Sequence, residues 1–246
     1  MSFSNEALSD DLLLGGRVRM RQPRRGFRAS TDAVLLAAAV AAKPGDRVLD
    51  VGCGAGAATL CLMARLPGLV AVGLELQGDY ADLARANGAP EVFEGDLFDP
   101  PAALRGDGFD WAMTNPPYFE PADIASPEPG RDRARRAERD ASDWVRATLK
   151  RVRSGGRIVI IQKAQRLPDV LAGLAGGAGD IAVLPLQARH GRAAGRVIVS
   201  ARKGARGPFR LAPPFVLHEG PRHEADRDDF TIEADRVLRD AEALVF

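Results

Sequence analysis

The chain has 246 residues, 46% of them hydrophobic and 27% charged, with a net charge of +1. That balance excludes a disordered or collagen-like chain, and it gives no global preference for a nucleic-acid or membrane partner. No apolar run reaches the roughly 18 residues of a membrane span, since Arg65 and Pro67 interrupt the longest candidate. The N-terminus is acidic ahead of its short apolar stretch, the wrong order for a secretory signal. Two cysteines are too few for a disulfide framework, so a reducing cytoplasm is the expected compartment.

Residues 1–46 read as a basic extension leading into a single domain that takes in the whole of 1–246. Its stretch 17–28 carries six of the chain's 30 arginines and no acid. Ser30 or Thr31 is placed to cap an Ala/Leu-rich helix over Ser30–Ala42, ahead of the first strand. Near-continuous apolar runs bounded by Gly, Pro or Asp then predict buried strands at Arg47–Val51, Val70–Glu75, Glu91–Glu94, Phe109–Thr114 and Arg157–Gln162. Ile181–Leu186 and Arg196–Ala201 add two more. Helical spacing recurs between them, at Leu60, Met63 and Ala64 and again at Trp144, Val145, Leu149 and Val152. A final helix is expected over Asp226–Leu244, with Phe230, Ala234, Val237, Leu238 and Ala241 on one face. Strand–helix alternation of this regularity specifies an α/β fold: a Rossmann-like, doubly wound, mostly parallel seven-stranded sheet with helices on both faces.

Two further stretches stand out by composition. Residues 187–206 carry six basic residues and no acid, so with 17–28 they read either as solvated surface charge or as segments facing a phosphate backbone. Residues 120–137, with three prolines and four arginines, read as a surface loop or a lid over whatever follows the fourth strand.

The motifs cluster at strand ends. Val48–Gly56 (VLDVGCGAG) is a strand running into glycines 52, 54 and 56 and then a helix, which lets backbone approach a ligand beside free helix N–H groups. By itself it also satisfies a dinucleotide fingerprint. Glu75 ends the second strand, where a carboxylate can take both hydroxyls of a ribose. Asp96 stands just past the third strand, where an acid can accept from an adenine amine. Thr114–Phe119 (TNPPYF) follows the fourth strand. Asn115 offers a carbonyl acceptor, Pro116 and Pro117 present carbonyls without N–H donors, and Tyr118 offers a flat face. Such a set suits a planar amine, two acceptors taking its two N–H bonds while a ring stacks on it. No zinc-ligand spacing links the three histidines to either cysteine, so no metal is expected. Trp111 and Trp144 read as core residues.

With these motifs the chain resembles the class I S-adenosylmethionine-dependent methyltransferases of the Asn-Pro-Pro-Tyr type. Within them it resembles the bacterial tRNA(Val) adenine-37 N6-methyltransferases. The more specific parts of the likeness are Gly26-Phe27-Arg28 with Thr31–Leu36, Gly195–Val199, and Phe215–Gly220 before the last helix. The resemblance implies S-adenosylmethionine as cofactor and tRNA as partner. It implies that Asp50, Gly52, Gly54 and Gly56 line the methionine end, with Thr31 and Asp32 nearby. Glu75 would hold the ribose, Asp96 and Leu97 the adenine, and Asn115, Pro116 and Tyr118 the target base. Three rivals stand beside it: a protein glutamine N5-methyltransferase acting on release factors, an NAD-dependent dehydrogenase, and a non-enzymatic RNA-binding module.

Overall fold

The computed structural model describes residues 3–106, 108–117, 140–222 and 229–246. The loop at 120–137 and Tyr118 therefore lie outside the described residues, as does the start of the expected last helix.

All seven expected strands are present: β3 (Arg47–Val51), β4 (Val70–Glu75), β5 (Val92–Glu94), β6 (Phe109–Thr114), β7 (Val152–Lys163), β8 (Ala178–Arg189) and β9 (Ala194–Lys203). Two short strands, β10 (Arg210–Leu211) and β11 (Phe215–His218), pair with β8 and bring the sheet to nine among the described residues. The order is β10-β8-β9-β7-β6-β3-β4-β5, with β9 antiparallel to both neighbours. From β3 the chain moves outward through β4 and β5, then returns to lay β6 on the other side of β3. That reversal opens a crevice at the carboxyl ends of β3 and β6, where ligands of such sheets bind.

Helices cover both faces: α1 (Thr31–Ala38), α2 (Ala57–Arg65), α3 (Gly78–Ala86), α4 (Ala141–Arg151), α5 (Leu167–Leu174) and α6 (Ile232–Arg239). Alternate side chains of each strand point to opposite faces. Val48, Met113, Val159 and Ile161 accordingly pack with α1, α2 and α6, while Leu49, Ala112, Ile158 and Ile160 pack with α4 and α5. Residues 158–161 are wholly buried, each side chain worth about 1.5–3 kcal/mol, which explains why the strand reads as a continuous apolar run. Helix α1 is buried from Val34 to Ala38, with Ser30 Oγ accepting from Asp32 N (3.3 Å) at its start. Arg65 closes its other end by donating to the Ala37 (2.9 Å) and Val40 carbonyls.

Two expectations are corrected, and one stretch carries strands that the sequence reading did not assign. Within the N-terminal extension, β1 (Leu8–Leu13) and β2 (Val18–Pro23) form a hairpin. Its signal was present: Val18, Met20 and Gln22 are buried while Arg19 between them is exposed, a period of two masked by arginine content. Val152 opens β7 instead of continuing α4. The last helix is also shorter than expected, since the Thr231 side chain caps it at Ala234 N (3.1 Å) and Ala241 turns left-handed just beyond it. Phe230 therefore sits outside the helix, stacked on His218 at 4.9 Å.

Candidate active site

The crevice has two walls. On one, β3 ends in Gly52–Gly56, whose glycines 52, 54 and 56 all have positive φ. Gly52 N and Cys53 N donate to Leu74 O (2.8 and 3.2 Å), pinning the turn to β4. A Cβ at Gly52 would meet the Trp144 ring at 3.4 Å, and one at Gly54 the Phe27 ring at 3.4 Å, so an aromatic ring lies against each position.

Glu75, at the end of β4, accepts from Gly54 N on Oε2 and from Gln77 N on Oε1, both at 2.9 Å. Each oxygen keeps one further acceptor position, so the carboxylate is oriented in advance with capacity for a diol. Beneath the loop, Asp50 is 3% exposed and takes the Thr59 hydroxyl at 2.6 Å. Burial pushes its carboxyl up to about 7; the hydroxyl and backbone N–H of Thr59 pull against this, and the charge of Glu75 adds to it. Two acids under one loop favour a cationic ligand.

Asp96 lies past β5 and accepts from Phe98 N at 2.9 Å. The Leu97 side chain packs into the core with Leu49, Val51 and Leu74, so it can reach a ligand only through backbone. A cleft of about 490 Å³ lies along Gln77–Tyr80 and Glu94. Thr31 and Asp32 stand at the start of α1, whose Ala33 packs in one cluster with Ala55 and Ala57. Thr31 is exposed, whereas Asp32 is paired with Arg196 at 3.0 Å.

The second wall begins where β6 ends. The register pairs Val51 with Thr114, setting the two strand ends side by side. Thr114, fully buried, donates to Val51 O (2.8 Å) and accepts from Trp144 Nε1 (3.0 Å). Half-buried Asn115 and buried Pro116 follow. The Pro116 carbonyl accepts from Gln162 Nε2 at 3.2 Å.

Trp144 corrects the reading of it as plain core. It is half-buried between Gly52, Thr114 and the Phe98 ring at 6.2 Å, touching both walls. Its helical period marked the buried face of α4 but not what lay opposite. Phe27, 56% exposed with its carbonyl held by the Tyr80 hydroxyl (3.1 Å), and Gln162 were likewise not singled out as site residues. Phe27 stands out only within Gly26-Phe27-Arg28, as part of a family likeness that gives it no role, and no local pattern marks Gln162.

The arginine-rich segments are largely engaged by the fold itself. Arg17 donates to Arg239 O, Arg24 to Glu6 O (3.2 Å), and Arg28 grips Asp11 with two bonds at 2.9 and 3.0 Å. In the later segment, Arg189 pairs with Asp229, Arg202 donates to Gly155 O and Lys203 to Val152 O. Arg19 and Arg25 are exposed and make no hydrogen bond or ion pair among the described residues.

A doubly wound sheet with a glycine loop, an acid ending the next strand and Asn-Pro-Pro across the switch point defines a crevice of the kind that takes an adenosine-bearing cofactor. Residues 29–182 match the methyltransferase small domain family, and the chain belongs to that family. Over 137 residues it is 32% identical to the tRNA1(Val) (adenine(37)-N6)-methyltransferase of Yersinia enterocolitica, covering 50% of this chain and 54% of that one. The chain thus aligns with about half the length of that curated relative. Over 89 residues it is 38% identical to the release factor glutamine methyltransferase of Rhodospirillum rubrum, covering 35% of this chain and 27% of that one. A solved structure described as a predicted O-methyltransferase of Agrobacterium tumefaciens superposes with a TM-score of 0.70 at 27% identity, covering 87% of this chain and 98% of that one.

The residues present fit S-adenosylmethionine. Glu75 is oriented for a ribose diol, and Asp50 with Glu75 complements a sulfonium and an ammonium.

Proposed function

We propose that the protein is a cytoplasmic S-adenosylmethionine-dependent N-methyltransferase acting on the exocyclic N6 of an adenine in tRNA, in the anticodon loop. The observation that carries this reading is the placement of Asn115 and the Pro116 carbonyl at the end of β6, one strand from the glycine loop. The name of the Yersinia relative supports the nucleotide and the RNA.

The cofactor supplies an electrophilic methyl group on a cationic sulfur. What the chain must supply is a better nucleophile, because the adenine amine delocalises its lone pair into the ring. Asn115 Oδ1 and the Pro116 carbonyl accept the two amine hydrogens, favour a pyramidal nitrogen and stabilise the positive charge that develops there. Thr114, bonded to Val51 O and to Trp144, keeps the two strand ends at fixed separation, which would hold the acceptor pair at a set distance from a cofactor bound over the glycine loop. No base is required before attack, since the methylated amine becomes acidic and loses its proton to water. An unpaired base in a loop is the cheapest to extrude into such a pocket. Tyr118 is the proposed stacking face.

The test is methyl transfer from labelled cofactor to total tRNA, followed by nucleoside digestion. Label in N6-methyladenosine is expected. Label on a release factor with unlabelled tRNA would replace the substrate and keep the chemistry, and label on neither rejects the reading.

A further inference from the structure

After four aliphatic residues at 0% exposure, β7 places a primary amide, Gln162, at 2% exposure. A buried amide is costly unless its hydrogen bonds are made. Gln162 makes one from each end: Oε1 accepts from Lys163 N at 2.8 Å, and Nε2 donates to Pro116 O at 3.2 Å. The position follows from the sheet. Thr114 pairs with Ile160, so two residues further on Pro116 comes opposite Gln162. Prolines 116 and 117 have no N–H, so an ordinary ladder cannot continue there. The side-chain amide bridges the gap instead, relaying a hydrogen bond from the Lys163 backbone to the Pro116 carbonyl. Its orientation is dictated, because Lys163 N–H requires the oxygen on its side and thereby turns the nitrogen to Pro116.

We propose that Gln162 is a positioning residue for methyl transfer: by occupying one lone pair of the Pro116 carbonyl, it aims the other at the target amine. This rests on the reading of Asn115 and Pro116 as the acceptor pair. Without the donor, the carbonyl is left unpaired at a buried site or turns toward Lys163 N–H, and in either case its direction is lost.

Gln162→Met keeps the length and volume and removes the donor. At saturating cofactor its kcat should fall about 10- to 100-fold, while KM for tRNA and Kd for S-adenosylhomocysteine stay within about twofold. Gln162→Glu adds a readout that a packing role would not move. As a neutral acid the side chain donates and accepts like the amide; once ionised, it sets a negative oxygen against the Pro116 carbonyl. Its kcat should approach the native value at low pH and fall as pH rises through the carboxyl's pKa, a limb missing from the native profile at saturating cofactor. Native kcat in Gln162→Met below its melting temperature, a loss through KM alone, or a Glu variant equally impaired at every pH would overturn the proposal. Should Gln162→Met not fold, the pH limb of the Glu variant decides. Asn115→Ala is run beside them. If it is fully active, the acceptor reading fails and takes Gln162 with it. If it is inactive while the Gln162 variants are native, only the role of Gln162 fails.

Discussion

The two walls of the crevice are built by different means. The glycine-loop wall is made of backbone: three glycines at positive φ, turn bonds to Leu74, and a carboxylate held by Gly54 N and Gln77 N. Apart from the aromatic cover of Phe27 and Trp144, its working parts lie within 50–77. The Asn-Pro-Pro wall is made of side chains brought from afar, with Thr114 held by Trp144 and Pro116 by Gln162, 30 and 46 residues away. A backbone-built wall tolerates substitution around it and fails at its glycines and its acid. A side-chain-built wall fails wherever a supporting partner is removed, and it should do so in rate before affinity.

The sharpest way to break this comparison is Asn115→Ala. On the present account kcat falls by about 10²–10³, as for loss of one preorganised transition-state hydrogen bond. Cofactor affinity by calorimetry and the far-UV spectrum should be native. A matching loss of cofactor affinity would mean that the two walls are not separable.

Glu75→Ala probes the other wall. It should weaken S-adenosylmethionine binding by about 1.5–3 kcal/mol, with KM for tRNA unchanged at saturating cofactor. An unaltered dissociation constant in a folded variant would remove Glu75 from the site.

Asp50 sharpens the same wall through pH. Its carboxyl is raised from 3.8 to about 7, so the stability it contributes in the free protein is full below its ordinary value and is lost as pH rises through about 7. A cationic ligand favours the ionised form. Cofactor binding should therefore release a proton near pH 6 and weaken as pH falls below about 7. Calorimetry in two buffers of different ionisation enthalpy measures the proton directly, and Asp50→Asn should abolish the release.

The smallest expected effect concerns the rim. Arg25→Ala should leave stability and cofactor binding alone and reduce the salt slope of tRNA binding by about one. Arg28→Ala should instead loosen the hairpin through Asp11, at a cost of about 0–1 kcal/mol for a half-exposed pair. An unchanged slope for Arg25→Ala makes that arginine plain surface.

Legibility in the sequence followed the same division. Val48–Gly56 and the acid at Glu75 could be read directly, because local backbone conformation is encoded by the residues that adopt it. Asn115–Pro117 was equally visible as a motif, but its supports were not. Gln162 looked like the end of an apolar run and Trp144 like one more helical contact, since nothing local to either says which strand end lies opposite. The arginines at 17–28 show a limit of composition: five of the six are exposed as a solvated surface would have them, but it could not show that Arg28, Arg24 and Arg17 also hold the fold through Asp11, Glu6 and Arg239.

By itself, then, the sequence determined the strand order's raw material, the glycine turn, the acids at the strand ends and the acceptor motif, all of which are set by residue type and short-range spacing. Only the tertiary structure decided that β6 returns beside β3, that Trp144 spans both walls, and that the amide of Gln162 completes a ladder the prolines cannot. Those outcomes depend on pairing between segments tens of residues apart. There the winning arrangement is chosen by burial and by the need to satisfy every buried polar group, and neither is a property of any single stretch of chain.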